Sequence, residues 1–334
     1  HKMDKKRLVS GIKPTGDLTL GNYIGAIKNF VKLQDDYESY FFVADLHSLT
    51  MGDSKAEELR EKRKEIIAMY LACGINVDNC AIFYQSDVYE HVLAQWLLTC
   101  ETTLGELNRM TQFKDKSQKL AKEANGTEKI PVGLLMYPTL MAADILIYNP
   151  DFVPIGEDQI QHLELTRTLA SRINKKRKMN LKLPKGFLPE VGARIKSLND
   201  PNIKMSKSEK STWGTIYLKD DPELAYKKIM KAVTDSENKV YASDNKPGVT
   251  NLLNIYASLK NITLEEAEKL FSNSDYATFK KAVAQAVKDE LIMIQSRYVN
   301  ALQKVDSIAE EGAKKARLIC GPIVLEMLKK FGLK

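Results

Sequence analysis

Little in this chain points to metal, redox or membrane chemistry. Its 334 residues include four cysteines (Cys73, Cys80, Cys100 and Cys320) with no C-x-x-C pair, and four histidines (His1, His47, His91 and His162) scattered singly. Structural zinc and a disulfide framework both need clustered or paired ligands, so neither is supported. The cysteines are expected to sit reduced, mostly in apolar surroundings. No apolar run approaches the roughly 18–20 residues of a membrane span, and the stretch 134–146 is interrupted by Pro138 and Asp144. No secretory apolar region opens the chain, and His1-Lys2 ahead of Met3 reads as an appended leader; the expected location is the cytoplasm. No G-x-G-x-x-G follows a predicted strand, which leaves dinucleotide binding without support. Gly11 and Gly16 match the first two glycines of a P-loop, but Asp17-Leu18 stands where that motif needs Lys and Ser/Thr. A net charge of +7 allows a nucleic-acid partner without demanding one, and nothing calls for DNA.

What is present is concentrated in two places. Gly11-Ile12-Lys13-Pro14-Thr15-Gly16-Asp17-Leu18-Thr19-Leu20-Gly21-Asn22 reads as the end of a strand (7–10), a Gly/Pro turn and a helix whose apolar positions Ile24, Ile27 and Val31 are spaced three and four apart. Backbone N–H groups opening such a helix, with Gly21 permitting close approach, suit the anionic part of a nucleotide. Lys204-Met205-Ser206-Lys207-Ser208 is a doubly cationic loop that can close on a polyphosphate. Lysines alternating with serines also occur in plain solvated loops, so it is the pair of motifs that suggests ATP held at both ends.

From about residue 7 to 198, short apolar runs alternate with helical patterns. The runs 40–44, 80–84 and 151–155 read as buried strands, and 55–72, 90–100 and 157–173 as the helices between them. The class is α/β, with a Rossmann-like parallel sheet whose ligand crevice lies beyond the strand carboxyl ends, near Gly11, Asp45 and Gly156. The lysine-rich stretch 114–130, with Asn125-Gly126-Thr127, is read as a mobile surface loop. After Ser208 the segments 221–233, 249–259, 264–271, 276–302 and 307–331 show helical spacing without strands between them. They predict an all-helical inserted part.

The two motifs occur in the order that defines class I aminoacyl-tRNA synthetases. With Met141-Ala142-Ala143-Asp144-Ile145-Leu146 and Gly156-Glu157-Asp158-Gln159 between them, the chain closely resembles the bacterial-type tryptophanyl group. The likeness extends to the stretches 105–114 and 232–237 and over essentially the whole length. It implies that Lys13, Pro14, Thr15, Thr19, Gly21 and Asn22 line an ATP site, that Gly156, Glu157 and Asp158 hold adenosine, and that the backbone at Ile195 contacts adenine. Lys204, Met205, Ser206, Lys207 and Ser208 would close over the phosphates, with Lys204, Lys207 and Lys116 as the catalytic cations. The implied tryptophan pocket is Gly11, His47, Tyr137, Met141, Asp144, Val153 and Gln159. Further implications are Mg2+ accompanying ATP, a tRNA(Trp) partner, a homodimer, a catalytic domain of residues 1–198 plus 303–334, and an anticodon-binding domain of residues 199–302.

The residue chemistry agrees with that assignment. Asp144 is a carboxylate in an otherwise apolar helix, costly unless it finds a donor, and an indole N–H is a donor only. The alternative is that Asp144 accepts from Tyr137 or Tyr148 and serves the core. Met141 shares its face one turn earlier. Asp45 and His47, after a strand, could face a ligand. Thr19 and Asn22 stand where class I enzymes usually have histidines, Lys13 where glutamine is common, and Val9 where an aromatic often lies. The nearest rivals are a tyrosyl-tRNA synthetase and a non-catalytic RNA-binding paralogue. Met141–Ile145 and the lack of an RNA-binding module after Lys334 weigh against the first; Lys204, Lys207, Asp144 and Gln159 weigh against the second.

Overall fold

The computed structural model describes residues 5–14, 17–127, 129–187, 193–207 and 211–334, apart from the side chains at 124, 157 and 187. Thr15, Ser208 and the side chain of Glu157, all assigned to ATP from the sequence, lie outside the described residues.

Five parallel strands, β1 (Lys6–Ile12), β2 (Tyr37–Val43), β3 (Cys80–Tyr84), β4 (Phe152–Pro154) and β5 (Lys185–Phe187), form one sheet in the order β3-β2-β1-β4-β5. Alternation along the strands sorts side chains between two apolar layers. Leu8, Phe41, Val43 and Ile82 face one layer, while Val9, Tyr40, Phe42, Ala81 and Phe83 face the other. Burial on both faces explains why β2 and β3 read as continuous apolar runs. Chain order reverses at β1, which pairs with β2 on one side and β4 on the other. A crevice therefore opens beyond the carboxyl ends of β1 and β4.

Two expectations need correction. β5 was not anticipated: it is three residues long, and its middle residue is Gly186, where a Cβ would come within 2.5 Å of the Leu163 side chain and 2.8 Å of Ile155. A strand so short has no period to read. The stretch expected to be a loop at 114–130 is instead largely a helix, Thr111–Ala124, closed by Asn125 in the left-handed conformation (φ 55°). Asn125 is thus a helix C-cap rather than a mark of irregular chain.

The part after Ser208 is helical as expected, with helices Pro222–Met230, Pro247–Lys260, Leu264–Leu270, Tyr276–Leu302 and Val305–Lys330. One apolar core runs from Leu8 and Ile27 through Met205 to Leu252 and Phe279, so the helical part is seated directly on the sheet layer. The Val305–Lys330 helix returns to β3, where Gly312 lies so close that a Cβ would stand 2.1 Å from the Ile82 carbonyl oxygen. No described helix is long and apolar enough to cross a membrane.

Candidate active site

At the carboxyl ends of β1 and β4 lies a cavity of about 450 Å3. Its wall contains all seven residues assigned to the amino-acid pocket: Gly11, His47, Tyr137, Met141, Asp144, Val153 and Gln159. Lys13, Lys116, Gly156 and Asp158 line it as well. Glycine leaves room for neighbouring side chains at two points of this wall. A Cβ on Gly11 would meet the Phe42 ring at 3.0 Å, and one on Gly156 would meet the Asp158 carboxylate at 2.8 Å.

Asp144, on the Val132–Leu146 helix, is wholly buried and accepts three hydrogen bonds. Gln85 Nε2 (2.7 Å) and His91 Nδ1 (2.6 Å) reach Oδ1, and His47 Nε2 (2.8 Å) reaches Oδ2. Burial alone would raise its pKa, but the bonds from His47 and His91 outweigh burial and hold it below the ordinary carboxylate value. Asp144 is therefore an ionised acceptor in the cavity wall. Its donors are not the tyrosines considered from the sequence; Tyr148 acts one step removed, with its hydroxyl 2.6 Å from His91 Nε2.

Opposite this group, the Tyr137 hydroxyl donates to Gln112 Oε1 (2.6 Å) and lies 2.7 Å from His162 Nε2. Burial, with smaller contributions from Lys116 and His47, pushes His162 down to about 4 against the pull of Asp158, so the ring is neutral near pH 7. Gln112 in turn donates to the Asp158 carbonyl (3.1 Å), tying the Thr111–Ala124 helix to the turn after β4. That helix carries Lys116 to the cavity, and its polarity is what made it read as a loop.

The remaining nucleotide candidates form a second cluster. Gly21 packs against Ile195 and Met205, which a Cβ would meet at 3.7 and 3.5 Å, so the two signature motifs touch through buried side chains. The Met205 N–H donates to the Ile195 carbonyl (3.1 Å), and Thr215 Oγ1 donates to the Ser206 carbonyl (2.8 Å). Residues 216–218 hold the other motif: the Leu20 N–H donates to the Ile216 carbonyl and the Leu218 N–H to that of Leu18. Lys204 and Lys207 are exposed. Thr19 and Asn22 cap the helix reciprocally, the Asn22 N–H donating to Thr19 Oγ1 (3.0 Å) and the Thr19 N–H to Asn22 Oδ1 (2.9 Å). Their side chains thus serve the backbone, a use the motif reading did not foresee. Pro14, Thr19, Gly21, Asn22, Ile195 and the stretch 204–207 are not on the cavity wall.

Asp45 does not face the cavity. Its carboxylate accepts from the Ser86 N–H (3.0 Å) and Ser86 Oγ and pairs with Arg63 (3.3 Å), bracing the end of β2 against the turn after β3. The sequence reading missed Gln85, His91, Gln112 and His162, whose partners lie 25 or more residues away and leave no local signature. A second cleft, of about 420 Å3, contains none of the motif residues and mixes Arg63 and Arg317 with Asp87, Asp306 and Glu310. Among the described residues no group of three or more His, Cys, Asp or Glu side chains is arranged to hold a metal ion.

Residues 2–291 match a family model described as tRNA synthetases class I (W and Y). The chain is 54% identical to a tryptophan--tRNA ligase of Mycoplasmopsis pulmonis, covering 99% of each, and 47% identical to one of Bacillus subtilis, covering 98% of each. Among solved structures it is similar to a tryptophanyl-tRNA synthetase from Mycoplasma pneumoniae (TM-score 0.84, 40% identity, 99% of this chain and 98% of that one). Another is a tryptophanyl-tRNA synthetase from Campylobacter jejuni complexed with ADP and tryptophan (TM-score 0.80, 30% identity, 98% of this chain and 100% of that one).

Proposed function

The chain belongs to the class I tRNA synthetases of the tryptophan and tyrosine group, and from that premise we infer that it is a tryptophan--tRNA ligase. It activates L-tryptophan with ATP to tryptophanyl-AMP and pyrophosphate, then transfers tryptophan to the 3′-terminal adenosine of tRNA(Trp). The observation that carries this reading is the ionised carboxylate of Asp144 in the cavity wall beside Gly11, Met141 and Val153. A buried acceptor there suits the one polar atom of an indole ring. Tyr137 and Gln159 complete the amino-acid side, and Lys13, Gly156 and Asp158 lead toward the nucleotide.

The first step needs no general base. The tryptophan carboxylate is already ionised; one of its oxygens bonds to the α-phosphorus as the bond to the bridging oxygen of pyrophosphate breaks. The protein's task is in-line positioning and stabilisation of charge on the departing pyrophosphate. Lys116 supplies a cation at the cavity, while Lys204 and Lys207 supply exposed ones on a loop anchored at Met205. Mg2+ would accompany ATP as part of the substrate and neutralise charge on its phosphates. In this reading residues 1–198 with 303–334 carry catalysis, residues 199–302 meet the anticodon region, the protein works in the cytoplasm, and two copies pair as a homodimer.

Exchange of labelled pyrophosphate into ATP is the test. It is expected with tryptophan and not with tyrosine; exchange driven equally by tyrosine, or none with either, would overturn the reading.

A further inference from the structure

The three hydrogen bonds to Asp144 are unevenly shared. Oδ1 accepts two, from Gln85 and His91, both wholly inaccessible and neither lining the cavity, whereas Oδ2 accepts one, from the cavity residue His47. A carboxylate has about four lone-pair sites. Oδ1 is saturated from behind, and the open site is on the oxygen that His47 shares.

His91 is itself held in one orientation. Its ring sits 5.6 Å from that of Phe42 and 6.2 Å from that of Phe83, and its Nε2 meets the Tyr148 hydroxyl at 2.6 Å. Burial holds the Tyr148 phenol well above its ordinary range, so it keeps its proton; its hydroxyl occupies Nε2 and leaves Nδ1 to meet Asp144. An ionised carboxylate only accepts, so Nδ1 carries the proton in its 2.6 Å bond to Asp144 Oδ1. Tyr148 is in turn fixed by stacking on Tyr40 (5.6 Å, 23°).

We propose that His91 is a positioning residue for amino-acid selection: by donating from Nδ1 to Oδ1 it keeps Asp144 an ionised acceptor with its open lone pair on the cavity side. If that bond is lost, the buried Oδ1 keeps only the Gln85 amide as a donor, and protonation of the carboxylate becomes cheaper than in the wild type. A protonated Asp144 offers a donor to an indole N–H that is also a donor. The proposal rests on the reading of Asp144 as the indole acceptor, and its test separates the two.

The measurement is kcat/KM in pyrophosphate exchange for tryptophan and for the analogue with sulfur in place of the indole nitrogen, in the wild type and in His91→Leu, His91→Asn, Tyr148→Phe and Asp144→Ala. In His91→Leu the preference for tryptophan is expected to fall about tenfold to a hundredfold, chiefly through KM for tryptophan. Asn can present an N–H where Nδ1 stood, so His91→Asn should stay within about threefold of the wild-type preference. Tyr148→Phe, which removes only one hydroxyl, should lower the preference less than His91→Leu does and covers the case in which His91→Leu does not fold. If Asp144→Ala loses the preference while His91→Leu and Tyr148→Phe keep it, the role of His91 is refuted and that of Asp144 stands. If Asp144→Ala also keeps it, both fall. A preference as low in His91→Asn as in His91→Leu would assign the effect to ring bulk and overturn the hydrogen-bond role.

Discussion

At the residue scale the site depends on which groups are charged and which are neutral. His162 is buried and pushed down to about 4, whereas in an unfolded chain it titrates near 6.5. Between those values the unfolded state binds more protons, so the contribution is fully present above about pH 6.5 and is lost as pH falls toward 4, up to about 3 kcal/mol. Urea midpoints followed from pH 7 to pH 4 should decline, and His162→Gln, which can still meet Tyr137, should flatten that part of the curve; an unchanged slope would mean that His162 is not the group titrating. Lys207 is exposed and cationic, so Lys207→Ala should slow adenylate formation by about 10²–10³ while leaving tryptophan binding nearly intact. Single-turnover adenylate formation at the wild-type rate would remove Lys207 from the chemistry. The seven pocket residues, all of which line the cavity, came from the family resemblance; residue chemistry by itself singled out Asp144, with Met141 one turn earlier. His91 and Gln85 were not legible, since each looks ordinary until the fold brings it 53 or 59 positions along the chain to the same carboxylate.

At the element scale, what repeats was readable and what is local or polar was not. The runs of β2 and β3 and the long helix Tyr276–Leu302 announce themselves by burial on both faces or by sustained spacing. The Thr111–Ala124 helix did not, because its apolar stripe is thin and tertiary bonds such as Thr111 N–H to Gln161 Oε1 (2.8 Å) help to hold it. Close packing of the Val305–Lys330 helix gives a sharp test. In Gly312→Ala the new Cβ would stand 2.1 Å from the Ile82 carbonyl oxygen, so helix and strand must separate. The variant should lose at least about 1–3 kcal/mol in chemical denaturation. Wild-type stability would mean that this contact is looser than the geometry indicates.

At the scale of the whole molecule, one face has no partner within the described chain. Tyr89, Val92, Leu93 and Trp96 follow the i, i+3, i+4, i+7 pattern and are all exposed, Tyr89 at 78% and Trp96 at 62%, while His91, Ala94, Leu97 and Leu98 of the same helix are buried. A second copy of the chain is the occupant that the proposed dimer requires. Trp96→Glu should then shift sedimentation equilibrium toward monomer without changing the circular dichroism spectrum, and a wild-type monomer at micromolar concentration would contradict the assignment. In the basic runs at 175–178 and 314–317 several cations already have partners within the protein. Lys176 and Arg177 pair with Glu101, Lys315 donates to the Val77 carbonyl, and Arg317 donates to that of Asp87.

The return of the Val305–Lys330 helix to β3 also bears on how the protein is born. A ribosome emits every strand, and every residue lining the cavity, well before this helix leaves the exit tunnel. Until then a nascent chain would carry a nearly finished pocket beside an edge strand, β3, paired with β2 on one side only. Such surfaces invite mispairing between neighbouring chains on one message. The interval between synthesis of the sheet and arrival of the Val305–Lys330 helix is therefore where chaperone dependence should be greatest, and slow codons between the two would lengthen it.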